Sequence, residues 1–514
     1  MKRLSFLTRT SLLLGFFFGV DKVLAFVRAI LIARQFRLSP ELDAFNVANN
    51  LPDLLFALIS GGALAMAFVP VLREALTLHG REVAWDLFSR TTNLAFVVTA
   101  SLAVVIAVFA RPIVRAEIGI APGFDPVQQD LIADLMRLNL VATLIFSLSG
   151  LVMAALHANQ HFLLPAMAPV LYNVGQIVGA LVFSPKQPYT LGPISLPAFG
   201  MGVHGLVYGV ILGAVLHLVV QVPAMVRYRF RWTPSLNIRH PGLLKALRIV
   251  APRLPTMLFI HLMFLARDNF ASRLGQVGAA SSLTYGWMIM MVPETLLGTA
   301  IATAILPTIS EHAAKGDWSA FRETVEKALR VLLALSLPVA AVIAVGLRPL
   351  VQFAFGFDPA DTALMTWTTR LYMLTLTGYT AQEILARAFY ARQETWRPFF
   401  SVSIRLALYL VTGLLVVTLF RDLGAPAIAS AELALTVEAI VLLAWLNRRL
   451  PRPVSPADSL LRGILAALIG GGTAWALLRF FPGPEVLAAI LGMAFGALLA
   501  LPFVRRELRL LFNL

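Results

Sequence analysis

Stretches of about twenty residues with almost no charge recur along this chain, each long enough to cross the hydrocarbon core of a bilayer as an α-helix. By length and hydropathy they fall at 10–33, 44–72, 86–110, 130–156, 162–184 and 203–226. A second group follows at 246–272, 279–309, 324–347, 364–390, 397–420 and 425–447, and a last pair at 459–481 and 484–503. The chain therefore reads as an all-α polytopic membrane protein with about fourteen transmembrane helices. Composition agrees: of 514 residues, 59% are hydrophobic and 13% charged, with a mean hydropathy of +0.80. A water-soluble domain is nearer half apolar and a quarter charged, so the surplus faces lipid.

The net charge of +15 raises the question of nucleic acid, but the basic residues form no face. They sit in the gaps between apolar runs, where topology places them. With the N-terminus inside, the cytoplasmic loops hold Arg73, Arg81, Arg227, Arg229, Arg231, Arg239, Lys245, Lys315, Arg392, Arg397, Arg448, Arg449 and Arg452, and the tail adds Arg505, Arg506 and Arg509. The opposite loops hold fewer: Arg34, Arg37, Arg111, Arg115, Lys186, Arg273, Arg348, Arg421 and Arg479. Both termini are thus expected in the cytoplasm. The start, with Met1-Lys2-Arg3, Arg9 and then Ser11 to Val20, has the outline of a secretory signal. Asp21 and Lys22 follow without a small-x-small cleavage site, so the segment reads as an uncleaved first span.

Two groups of six spans repeat one another. Ala67-Phe68-Val69-Pro70-Val71-Leu72 closes the second span and Ala304-Ile305-Leu306-Pro307-Thr308-Ile309 the eighth, each followed by a charged loop with Gly80 or Gly316. Ala158-x-Gln160-x4-Pro165 is matched by Ala391-x-Gln393-x4-Pro398 at nearly the same offset, about 235 residues. Six spans per copy give both copies the same orientation, an arrangement typical of transporters with a site at the repeat interface. The expected division is an N-lobe at 1–228, a C-lobe at 229–450 and a C-terminal helix pair at 451–514, separated by the basic joint from Arg227 to Arg253 and by Arg448 to Arg452.

An ionisable group in mid-membrane costs about 2.5–3.5 kcal/mol and usually meets a partner or a cavity. The first span carries Asp21, Lys22 and Arg28. Asp21 and Arg28, two turns apart, share a face and read either as a neutralised packing pair or as the wall of an anion-binding cavity. A guanidinium suits phosphate because its planar fork donates two bonds at once. With Asp21 set against Arg28, Lys22 is left without an obvious acid in its span. The second span holds Asp43, Asn46, Asn49, Asn50 and Asp53, then Gly61-Gly62, and reads as a wet stripe or as helix-packing polar groups. Its Pro52 and the glycines permit bending. In the seventh span, His261, Arg267, Asp268 and Asn269 line a cavity or snorkel to the interface. Pro293-Glu294 in the eighth sets a carboxylate beside a helix break, as a gate or a proton site. Gln382, Glu383 and Arg387 in the tenth span, and Glu432 and Glu438 in the twelfth, read as packing residues or neutral acids.

No catalytic constellation stands out. There are no cysteines, which removes disulfide, thiol and Cys-metal chemistry. No Walker-type loop is present to bind ATP and no His pair has metal spacing on a helix. The longest polar segment, Pro185 to Pro197, lacks acids for general acid/base work. An enzyme is not expected, nor a cofactor.

The residues resemble the MurJ/MviN family of the multidrug/oligosaccharidyl-lipid/polysaccharide flippase superfamily. The first block is Leu42-Asp43-Ala44-Phe45, Leu51-Pro52-Asp53-Leu54-Leu55 and Gly62-Ala63-x3-Ala67-Phe68-Val69-Pro70. The second is Ala271-Ser272-Arg273-Leu274, Leu283-Thr284-Tyr285 and Pro293-x3-Leu297-Gly298-Thr299-Ala300-Ile301-Ala302-Thr303-Ala304; the third is Tyr390-Ala391-Arg392-Gln393-x4-Arg397-Pro398. The resemblance covers most of the chain and is weakest in the last two spans. It implies a flippase in the bacterial cytoplasmic membrane that moves lipid II, the undecaprenyl-diphosphate-linked peptidoglycan precursor, by alternating access. It also implies fourteen spans, a cationic central cavity, and a groove along the last two helices.

This sequence departs from the family pattern at several cavity positions. Of two first-span arginines the family places here, one is Lys22 and the other Arg28; the second span's basic residue falls at Phe56 or Ala57. The family's Tyr-Ala-x-Arg is Tyr285-Gly286-Trp287-Met288. Arg267 is a candidate replacement. On this reading Lys22 and Arg28 take the diphosphate, Asn49 and Asn50 the sugar, and Asp268 a coupling cation. The rival readings are a polysaccharide-lipid or drug/metabolite antiporter of the same superfamily, for which a basic cavity is the wrong sign for cationic drugs, and a non-transporting scaffold of envelope synthesis with a degenerate cavity.

Overall fold

A computed structural model describes residues 6–61, 63–237 and 239–511. Met1-Lys2-Arg3, the Arg9 side chain and Gly62 lie outside the described residues. By internal contact the chain divides into Met1–Asn269 and Phe270–Leu514.

The first unit contains helices α1 (Phe6–Phe36), α2 (Pro40–Phe56), α3 (Ala63–Leu78), α4 (Gly80–Val108), α5 (Ala110–Arg115), α6 (Pro126–Ala158), α7 (Leu163–Val178), α8 (Val203–Val219), α9 (Val222–Arg227) and α10 (Pro241–Val250). The division falls inside α11 (Leu254–Arg273). In the second unit are α12 (Ala279–Glu294), α13 (Ala300–Lys315), α14 (Trp318–Phe355), α15 (Pro359–Ala391), α16 (Trp396–Leu419), α17 (Gly424–Ser430), α18 (Ala434–Asn447), α19 (Ala457–Phe480) and α20 (Glu485–Leu511). A ribbon of two-residue strands, pairing Thr190 with Ser195 and Leu191 with Ile194, folds the Pro-rich segment.

Among the described residues, ten helices are long and apolar enough to cross a membrane, and eleven if α10 and α11 form one span bent by 51°. Helices also cover the first, second and tenth expected spans, as α1, as α2 with α3, and as α15. Each of the three carries charged or amide side chains within its apolar run: Asp21, Lys22 and Arg28 in the first, Asn46, Asn49, Asn50 and Asp53 in the second, and Arg370, Gln382, Glu383 and Arg387 in the tenth. The seventh differs from expectation. Pro252 and Pro255 each remove a backbone donor, so the helix breaks at Ala251–Arg253 and leaves α10 as a separate short helix. Its buried Leu243, Ala246 and Val250 pack on α3, and Lys245 pairs with Glu74 at 2.5 Å.

The repeat is visible in backbone detail. Helices α6 and α15 both end at the alanine of the repeated motif, and Gln160 and Gln393 then take left-handed φ values of 58° and 61°. Both ends close with the same pair of bonds: His161 N–H to Leu156 O (2.9 Å) with Gln160 N–H to His157 O (2.9 Å), and Glu394 N–H to Phe389 O (3.0 Å) with Gln393 N–H to Tyr390 O (2.9 Å), a Schellman turn in each copy. A π-turn interrupts both the second and the eighth span, Ala57–Gly61 after Pro52 and Thr295–Thr299 after Pro293. Gly80 and Gly316, at φ 83° and 70°, make the reversal that follows each copy.

Packing inside each unit relies on small residues. A Cβ placed on Gly209 of α8 would lie 2.6 Å from Gly179 Cα, so the two backbones touch there. In the second unit, α19 and α20 pack together and on α14. Their seam is Gly463 against Leu333 O, Gly470 against Gly496 O and Gly492 against Ala474 O, each leaving 3.0 Å or less for an added Cβ. One end of the pair is tied by polar bonds: buried Glu507 accepts from Ser459 Oγ (2.9 Å) and Arg462 Nη1 (3.2 Å). Gly209→Val should therefore destabilise the purified protein by about 1–3 kcal/mol through overpacking, read as a lowered thermal midpoint. Gly472→Ala, with nothing within 4 Å of the new methyl, should leave the midpoint unchanged.

Candidate functional site

Three elements of the first unit set the polar groups of the first span. Helix α2 begins cleanly because Ser39 Oγ accepts from Leu42 N–H (3.2 Å), Pro40 occupies its first turn, and Glu41 and Asp43 meet the positive end of its dipole. Asp43 is buried in that turn. Helix α7 packs along α1 and carries the residue that organises the site, Asn173.

Arg28 Nη1 donates to Asn173 Oδ1 at 2.8 Å. The same amide turns its nitrogen to Asp21, donating to Oδ1 at 2.8 Å. Asp21 and Arg28 do share a face, as their spacing predicts, but an amide stands between them. No carboxylate ion-pairs with Arg28 among the described residues; Asp53, exposed on α2, lies within range of its field. Tyr172, next to Asn173, is near both charges. Lys22 differs from expectation in having an acid beside it: its Nζ is 3.6 Å from Asp21 Oδ2 and 5.1 Å from the Phe18 ring centre, with the side chain 61% exposed. A guanidinium satisfied by a neutral oxygen keeps its charge and most of its donors for an anion.

The second polar group ties α2 to α11. Asp268 is fully buried and accepts from Asn50 Nδ2 and from Arg267, whose Nη2 is 3.1 Å and Nε 3.2 Å away. Arg267 also lies 5.3 Å from the Phe264 ring centre. It does not snorkel; it is 4% exposed. Asn49 bonds back to Phe45 O in its own helix (3.0 Å). Arg28 with Lys22, Asp21 and Asp53 therefore forms one group, and Asn50 with Arg267 and Asp268 another.

In the second unit, Glu294 is buried at the end of α12, just before the π-turn, where Thr299 Oγ1 donates to it at 3.2 Å, within the field of Arg387. Next to the family's arginine position, which is Met288 here, Trp287 packs its ring 5.5 Å from Tyr372 and 5.8 Å from Tyr379. Phe56, at the other departing position, packs 5.3 Å from Phe146. No cluster of His, Asp or Glu able to hold a metal occurs among the described residues.

Asn173, Tyr172 and Thr299 are the residues that sequence reasoning missed. A lone asparagine in an apolar run carries no spacing signal; only its register opposite Arg28 gives it meaning.

The profile described as "Lipid II flippase MurJ" matches residues 32–494. The chain belongs to the MurJ family. A lipid II flippase MurJ of Burkholderia cenocepacia is 31% identical over 417 residues, covering 79% of this chain and 77% of that one. Among solved structures, a lipid II flippase MurJ in an inward closed conformation covers 97% of this chain and all of that one, with a TM-score of 0.77 at 20% identity. An inward-facing multidrug resistance MATE transporter of the MOP superfamily covers 84% of this chain and 94% of that one, with a TM-score of 0.69 at 16% identity. At such identities the likeness is one of fold. The MurJ fold and the membrane character expected from the sequence are thus both present.

Removing the bridging amide tests its role directly. Asn173→Leu leaves Arg28 and Asp21 without their shared partner and should cost about 1–3 kcal/mol of stability, measured as thermal unfolding in detergent, while Asn173→Gln should recover part of it.

Proposed function

We propose that this protein flips a lipid-linked peptidoglycan precursor of the undecaprenyl-diphosphate type, lipid II, across the cytoplasmic membrane by alternating access. The observation that carries the reading is Arg28, held inside a membrane-spanning helix by the neutral Asn173 rather than by a carboxylate. Together with membership of a lipid II flippase family, it gives a cation that a lipid-borne diphosphate would neutralise. Diphosphate oxygens accept from the free guanidinium donors, and Lys22, more exposed, supplies a second positive charge. Asn49 stands one residue from the Asn50–Asp268 bond and offers an amide to the sugar. Arg267 contributes charge behind Asp268 rather than a direct ligand, because its own donors face that carboxylate. Asp43, Asp53 and Glu294 are read as gating or structural polar groups, and Asp268 as the group through which a cation would act.

Transport rather than catalysis is part of the same reading, as are cytoplasmic N- and C-termini and the three-part division at 228 and 450. The isoprenoid tail stays in lipid along α19 and α20, whose outward residues Leu461, Leu468, Trp475 and Leu498 are exposed and apolar.

Arg28→Ala tests the reading. In cells depleted of their own lipid II flippase, the wild-type gene should restore growth and the normally expressed variant should not. In proteoliposomes loaded with lipid II, the variant should lose at least about tenfold in flipping rate, the loss of one charge-assisted phosphate contact. Full activity in a well-folded Arg28→Ala protein would remove Arg28 from the mechanism. Failure of the wild type to complement would remove lipid II as the substrate.

A further inference from the structure

The second unit holds an ion cluster that the flippase reading does not use. Arg405 on α16 is 7% exposed; its Nη2 donates to Glu432 Oε2 at 2.8 Å, and its Nη1 lies 3.8 Å from Glu438 Oε2. Glu432 is 4% exposed and Glu438, on α18, not at all. Glu438 Oε1 accepts from Ser401 Oγ at 3.0 Å and from Gln382 Nε2 at 3.4 Å. Its other oxygen, Oε2, is buried with no hydrogen-bond partner. Around α18, α16 brings Arg405 and Ser401, the turn Ala431–Leu433 brings Glu432, and α15 brings Gln382 and Tyr379. Tyr379 also stands within range of Glu294. Two further charges of α15, Glu383 and Arg387, pair with each other.

The charges do not balance. Two carboxylates face a single guanidinium in a segment that the membrane encloses, and Glu432 takes its closer bond. A second ionised carboxylate, buried and lacking a donor on one oxygen, is costly unless something positive joins it. The smallest species that fits an oxygen without a hydrogen bond, 3.8 Å from a guanidinium already bonded to Glu432, is a proton.

We propose that Glu438 is a proton-binding site of the C-terminal unit, with the proton on Oε2, and that its uptake and release accompany the transport cycle. The second clause rests on the flippase reading; the first does not. The step is an acid ionisation: the O–H bond breaks, the electron pair stays on Oε2 and the proton passes to water. Once ionised, Glu438 competes with Glu432 for Arg405, which re-pairs α16 with α18 and gives protonation a mechanical consequence.

Infrared difference spectroscopy on the full-length protein in nanodiscs tests the site without substrate. A protonated-carboxyl carbonyl band should be present at neutral pH in wild type and absent from Glu438→Gln. In Glu432→Gln one acid remains for one guanidinium, so Glu438 should hold its proton about tenfold less tightly and the band should vanish at correspondingly lower pH. Circular dichroism and monodispersity establish folding, and Glu432→Gln keeps the test alive should Glu438→Gln fail to fold. Identical wild-type and Glu438→Gln spectra, an unmoved band in Glu432→Gln, or loss of the band on adding sodium at fixed pH would overturn the proton site. In proteoliposomes, an imposed pH gradient should change lipid II flipping by wild type but not by Glu438→Gln; a wild type that flips regardless of the gradient would overturn the coupling. Absence of any flipping, with the band intact, would count against the flippase reading and leave the proton site standing.

Discussion

Asn173 accepts from a guanidinium and donates to a carboxylate that would otherwise seek each other. In hydrocarbon, an ion pair in direct contact is close to inert, since each partner quenches the other. An amide placed between them satisfies both with dipoles and leaves both charged. Arg28 then keeps a field that reaches Asp53 and Tyr172, and the α1–α7 contact is fixed by a polar bond rather than by side-chain volume. The close α7–α8 backbone approach through Gly179 and Gly209 supports this by holding α7 in register.

Helices were the most legible part of the molecule, since apolar length alone forces them where backbone groups have no water. The repeat was legible too, and for a physical reason: Gln160 with Gln393, and Gly80 with Gly316, mark places where the backbone does something a regular helix does not. The left-handed φ values at all four bear that out. The α10–α11 break was harder, because hydropathy continues through Ala251–Arg253 while the prolines end the hydrogen-bond ladder.

Site residues were legible as types and not as pairs. Asp21, Arg28, Asn50 and Asp268 all stood out as polar groups in apolar runs. That Asn50 would meet Asp268, far along the chain, or that Asp21 would reach Arg28 only through Asn173, depends on tertiary register that no local pattern encodes. Lys22 shows the converse: the sequence placed Asp21 adjacent, but adjacent residues on a helix point apart, and only the side-chain conformations bring them to 3.6 Å. Arg28 and Arg405 differ in what answers them: an amide meets the first, whereas two carboxylates face the second.

The α19–α20 seam brings glycines against backbone carbonyls, Gly470 to Gly496 and Gly492 to Ala474, and α14 meets that seam with side chains, Val342 lying against both Gly470 and Gly496. A valine set between two glycines is a tooth in a notch, so a slip along the helix axis would drive its methyl group into backbone. The Ser459–Arg462–Glu507 knot binds α19 to α20 and leaves α14 out. Mechanically the last two helices are one rod keyed to α14, so a bilayer that thins or thickens around them is met by all three helices together.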